Sequence, residues 1–225
     1  MKEKCKRYRD SAKLAVFSHM NSAILAVIAS GLVATLINYY YQITAVDKNV
    51  NIFSGDVEVL KLTAMVALLS VFANLPLSYC AARFYLVISR KSPFERATLK
   101  ELFAPFSSPA LLLKGSLLML ITSFLTVIGS VVLVFPVYFT YCMAVFVTLD
   151  KPEASVFSAL RESRRMMKGH KWTAFRTTLP ILAAYALVSI FLNSLYFISF
   201  FVISIVEAVF FVTLAIIYDD IRRNA

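Results

Sequence analysis

From Gly115 to Leu149 the chain runs for 35 residues without one charged side chain. As a single straight helix at 1.5 Å per residue this stretch would be roughly 52 Å long, well beyond the ~30 Å apolar thickness of a bilayer. A run this apolar must cross a membrane, and one this long must cross it and fold back. Three further stretches lack charge: Leu14 to Val46, Leu62 to Ala82, and Thr177 to Val206, the last resuming after Glu207 as far as Tyr218. Overall, 60% of residues are hydrophobic and 16% charged, and mean hydropathy is +0.75. A soluble domain carries about 45–50% apolar and about 25% charged residues, so the excess has to face lipid.

Breaks inside the long stretches set the span count. Gly129-Ser130 and Phe135-Pro136 are the candidate turns of the third stretch, because glycine tolerates turn dihedrals and proline lacks the amide a helix would use. Asn193-Ser194 is the candidate break of the fourth. Charge gives an independent check, since cytoplasmic loops are rich in Lys and Arg. The tail to Lys13 holds six basic residues, Arg83 to Lys114 six, Lys151 to Arg176 seven and the C-terminus two, so 21 of 23 share one side if both stretches are hairpins. Replacing either hairpin by one span would place a heavily basic segment outside. The expected fold is therefore all-α: a polytopic bundle of six transmembrane helices at about 18–44, 60–86, 110–129, 131–149, 174–193 and 198–219. It forms one integral domain in the cell (inner, cytoplasmic) membrane with both termini cytoplasmic.

The formal net charge of +10 does not point to nucleic acid, because the basic residues sit in short clusters beside apolar runs and form no single face. Cys5 lies in the basic tail, and Cys80 and Cys142 lie inside apolar stretches, where they read as small apolar side chains. The first apolar run far exceeds the 7–15 residues of a cleavable signal core, so an uncleaved first helix is expected.

Two cytoplasmic segments read as short interfacial helices, at about 93–104 and 152–168. In the first, Ser92, Pro93 and Glu95 suggest a cap, a first-turn proline and a capping box ahead of apolar Leu99, Leu102, Phe103 and Phe106. In the second, Asp150, Pro152 and Glu153 suggest the same entry, and Gly169 stands where a left-handed residue would close the helix. Val156, Leu160, Ser163 and Met167 make one stripe, and Arg161, Arg164, Arg165 and Lys168 another. With Lys171, these cations are the expected contacts to anionic lipid headgroups, the apolar stripe sinking into the bilayer boundary.

The segment Tyr141 to Trp172, YCMAVFVTLDKPEASVFSALRESRRMMKGHKW, resembles a bacterial family of six-span integral membrane proteins of uncharacterised function. Its hallmark is an Asp-x-Pro-Glu entry followed by Ala, Ser and Met-Lys-Gly-His-Lys. Asp150, Pro152, Glu153, Ala159, Ser163, Met167, Lys168, Gly169, His170 and Lys171 supply these positions. Beyond it, Ala208-Val209 stand where a Pro-Tyr is expected. The resemblance implies a fold and a location, and no activity.

No phosphate loop, HExxH or G-x-S-x-G is present, so no catalytic residue is assigned and no enzyme is expected. His19 and His170 lack nearby carboxylates or thiols, so neither a metal nor a cofactor is expected. Tyr39-Tyr40-Tyr41 and Trp172 read as interface anchors. Arg83 and Lys114 lie where they can snorkel to headgroups without a partner. Asn74 and Pro76 interrupt the second span. Glu207 is the one acidic residue well inside a span, twelve residues before Asp219, where an ionised group costs about 2.5–3.5 kcal/mol. It is expected to turn inward, towards a watery cavity or a polar neighbour such as Asn74, Asn38 or Tyr141. The leading reading is a non-enzymatic component that binds or passes a small solute or lipid between its helices. The competing one is a scaffold recruiting a protein or anionic lipid through its basic face. A second copy or another membrane protein is open as a partner alongside the lipid bilayer.

Overall fold

The computed structural model describes residues 2–27, 57–92, 95, 97–191 and 196–224. Asn38, the tyrosines at 39–41, the outer end of the first hairpin, Pro93 and the Asn193-Ser194 break lie outside them. An apolar chain in lipid has no water for its amides, and helices satisfy them internally. Every regular element among the described residues is helical. Helix α1 covers Lys2–Ser18, and after a break at His19 residues 20–27 are helical again. There follow α2 (Val57–Arg90), α3 (Leu99–Phe103) with a 3-10 turn at Ala104–Ser107, α4 (Pro109–Tyr141), α5 (Ala144–Asp150), α6 (Val156–Met166), α7 (Lys171–Phe191) and α8 (Tyr196–Arg223). Three stretches among the described residues are long and apolar enough to cross a membrane: Pro109–Val127, Lys171–Phe191 and Val202–Arg223. Val137–Asp150 is apolar but shorter.

Helix α4 is helical through Gly129-Ser130 and Phe135-Pro136, so no extended loop separates two helices there. Its path reverses nonetheless. Leu118 shares a buried cluster with Ala144 and Val145 of α5, and Lys114 Nζ donates to the Pro152 carbonyl beyond it. On a straight helix Leu118 and Val145 would be about 40 Å apart. The return falls in the stretch that holds both expected breaks, where a missing Cβ and a missing amide donor make bending cheap. The same contact corrects the reading of Lys114, which has a protein partner.

Helix α8 is the hub, packing against α1, α2 and α7. On its face towards α2, the rings of Tyr85 and Phe211 stack at 5.5 Å and 2°. Nearer its C-terminus, Leu214 and Tyr218 join Phe146 of α5 and Met167, just past α6, in a second cluster. Hydroxyls inside the bundle bond to their own helix: Thr213 Oγ1 donates to Val209 O at 2.6 Å and Thr148 Oγ1 to Ala144 O at 3.0 Å. That is the economical solution where water is absent. Between α2 and α4 the approach is very close, because a Cβ added at Gly115 would lie 2.5 Å from the ring of Tyr79.

Both surface helices are shorter than the sequence suggested, and their caps differ. The first is Leu99–Phe103, with Thr98 as N-cap and its amide donating to Glu101 Oε2 at 3.2 Å. Two Ser/Thr-x-x-Glu boxes compete here, and the Ser92 box yields only one turn, Glu95 N to Ser92 O at 3.0 Å. Leu102 is buried while Phe103 and Phe106 face outward. The second is Val156–Met166, capped by Ser155, whose hydroxyl accepts from Ser158 N. Asp150 is therefore not its cap, and Pro152 and Glu153 lie in the turn before it. Its end conforms to expectation, with Gly169 at φ +88°. The stripe of Val156, Leu160, Ser163 and Met167 is buried, but against α4 and α5 and not in the bilayer boundary. Ser163 Oγ pins it by donating to Thr140 O at 2.9 Å.

Candidate functional site

Helices α2, α4, α5 and α8 do not close completely on one another. They leave a cavity of about 430 Å³, within the ~300–1,000 Å³ of small-molecule sites. Glu207 lines it, and is the only charged residue to do so among the described residues. It retains accessible surface at mid-helix because it faces this space. No hydrogen bond or ion pair to its carboxylate occurs among the described residues. Tyr85 and Tyr138 line the same space. Opposite, Thr122 and Thr126 line the cavity from α4 one turn apart. Thr122 Oγ1 donates to Leu118 O and Met119 O, each at 3.0 Å, and Thr126 Oγ1 to Thr122 O at 2.7 Å.

Of the four residues expected at an intramembrane polar site, the structure brings Glu207 and Tyr141 to one cavity. Asn74 is half-buried on α2, and its neighbours Leu75 and Ser78 line the cavity in its place. Residues Ser78, Thr122, Thr126, Tyr85 and Tyr138 were not expected there. The Thr-x-x-x-Thr spacing puts two hydroxyls on one face of α4, a signal present in the sequence.

A second polar group lies at the opposite extreme of pairing, at the ends of α2, α5 and α8. Arg90 grips Asp150 with both Nη atoms at 2.8 Å and Asp219 through Nη2 at 2.7 Å. Tyr218 donates its hydroxyl to Asp150 at 3.0 Å, and Arg222 pairs with the same carboxylate. Asp220 takes Lys4 at 2.8 Å and the Tyr8 hydroxyl at 2.6 Å, tying α1 to α8. The Asp150 side chain is only 10% exposed. Burial alone would raise its pKa, but hydrogen bonds from Arg90 and Tyr218 and the charges of Arg90 and Arg222 hold it below the usual carboxylate range. At Glu101 partial burial likewise acts upward, and the Lys91 ammonium with the Thr98 amide brings the net shift down.

On α6 and just beyond, Arg161, Arg164, Arg165 and Lys168 are exposed and Lys171 is half-buried. Phe157 stands among them 73% exposed, with Trp172 nearby on α7 also exposed. His19 is buried without a partner for Nε2 among the described residues, whereas His170 is exposed. Among the described residues no three His, Cys, Asp or Glu come together as a metal-binding group. Compared with known proteins, the chain matches no family model, no curated protein and no solved structure. The resemblance of its Asp150 to Lys171 segment thus rests on those residues alone.

Proposed function

We propose that the chain is a six-span protein of the cytoplasmic membrane, termini inside, that binds or passes a small solute or lipid between its helices without chemical conversion. The observation that carries this is the Glu207 carboxylate, without a partner among the described residues, facing a 430 Å³ space inside an apolar bundle. A carboxylate kept at mid-span is costly, and a structural role would have given it a donor. The reversal within α4 supports the hairpin that a six-span arrangement needs. Membership of the uncharacterised six-span family is part of the same proposal.

Two experiments test it. Reporter fusions after Val46, within 130–135 and near Ser194 report outside, and fusions after Lys91, Lys168 and Arg223 report inside; an outside signal at Lys168 removes the arrangement. In a cysteine-free background, Ser123→Cys in the cavity reacts with a small water-soluble thiol reagent while Leu117→Cys, exposed on the outer face of α4, does not. Equal silence at both positions removes the ligand cavity.

A second reading is favoured by the surface of α6, where four exposed cations surround an exposed phenylalanine. Such a face suits an anionic headgroup layer or an acidic partner and describes a scaffold. Reversing Arg161, Arg164 and Arg165 to glutamate separates the two: a scaffold loses its partner, and the cavity still reacts at Ser123→Cys.

A further inference from the structure

The lining of the cavity is one-sided in its chemistry. It contains a carboxylate and no Lys, Arg or His among the described residues, so an anionic ligand would meet repulsion with nothing to offset it. Its hydroxyls lean the same way. Thr122 and Thr126 have already given their protons to helical carbonyls, and what they turn to the cavity is acceptor lone pairs. Five aromatic rings, of Tyr85, Tyr138, Tyr141, Phe146 and Phe211, contribute to the wall, and the face of a ring attracts a cation. The rest of the wall is aliphatic, from Leu75, Val145 and Leu214 among others. An inorganic cation would want a close shell of several carboxylate or carbonyl oxygens, and here one carboxylate and a few hydroxyls stand in a mainly aromatic and aliphatic wall.

We infer that the cavity takes a lipophilic organic cation: an amine or quaternary ammonium whose charge sits at Glu207 and whose apolar body lies among the rings of α2, α4 and α8. This rests on the reading of the cavity as a ligand site. The ammonium replaces its hydration with the carboxylate and ring faces, and the carboxylate gains a partner that the described residues do not supply. A neutral molecule of the same shape gains only the apolar part.

The test uses the full chain in nanodiscs of zwitterionic lipid, with empty nanodiscs as blank. Three probes share one body: benzyltrimethylammonium, its uncharged carbon isostere neopentylbenzene, and benzenesulfonate as the anion. Wild type binds the cation about tenfold or more tightly than Glu207→Gln does, a change near 1.4 kcal/mol. The isostere binds both proteins equally and the sulfonate neither. Ser123→Trp, which fills the cavity from α4, abolishes binding of cation and isostere alike while the protein still elutes as the same species. If cation and isostere bind wild type and Glu207→Gln equally, and Ser123→Trp blocks both, the cationic class is overturned and the ligand cavity stands. If no probe binds wild type, or Ser123→Trp changes nothing, both are overturned.

Discussion

The two carboxylate sites of this protein stand about 18 Å apart along α8, and they are opposites. At the C-terminal end of α8, Asp150 meets two guanidinium groups and a tyrosine hydroxyl, Asp219 meets Arg90, and Asp220 meets Lys4 and Tyr8. Twelve residues back along the same helix, Glu207 meets no donor among the described residues. The first arrangement fastens helix ends, because each charge is useful only while its partners stay in place. The second leaves one charge uncommitted, and an uncommitted charge is free to recognise something that arrives. Pairing, more than burial, is what sets the two sites apart.

The sharpest way to break this contrast is at Asp150. Replacing it with alanine leaves Arg90 with Asp219 alone and takes this partner from Arg222, both partly exposed, and the expected loss is about 2 kcal/mol. For a chain of this size that is a fall of roughly 4–8 °C in the unfolding midpoint. A change below 2 °C in detergent would mean the network holds nothing. Acid gives a gentler version. Because the folded-state pKa of Asp150 is depressed, its contribution is fully present above its unfolded value near 4 and is lost as pH falls below that through the folded pKa. Stability measured from pH 7 down to about 5 shows nothing from this group, the decline comes below about 4, and Asp150→Asn flattens it.

Glu207 sharpens the comparison by having the opposite sign. With no partner to lose among the described residues, Glu207→Leu leaves stability unchanged or raises it by up to about 2 kcal/mol, since a mid-span charge is removed. A loss of 1 kcal/mol or more would reveal a structural hydrogen bond and make the two sites alike. The smallest effect is expected at Gly169. Nothing lies within 4 Å of an added Cβ, so Gly169→Ala costs only its backbone conformation at φ +88°, about 1 kcal/mol. A larger drop would mean the end of α6 carries more of the packing around it than its contacts indicate.

Glu207 was legible in the sequence because one acidic residue in an apolar run has few reasons to be there. The stripe of α6 was legible through its 3.6-residue period, and Gly169 through its position. The caps were harder, since Ser92 with Glu95 and Thr98 with Glu101 are equally good boxes, and the choice falls to Lys91, which pairs with Glu101. Asp150 looked like a cap because local patterns cannot show Arg90, which arrives from 60 residues away. The rotation of α2 about its axis was likewise beyond linear reading, so Asn74 was expected where Ser78 lies. Thr122 and Thr126 passed as ordinary span residues because nothing local marks which face of a helix meets a void.

The contact between Gly115 and Tyr79 acquires a mechanical meaning once the cavity is considered. Ring and backbone are already at the limit of approach there, one turn along α4 from cavity-lining Met119, and the Tyr79 ring is fully buried. The glycine therefore sets how closely α4 approaches α2 beside the cavity, and a methyl group at position 115 would push the Tyr79 ring or the two helices apart.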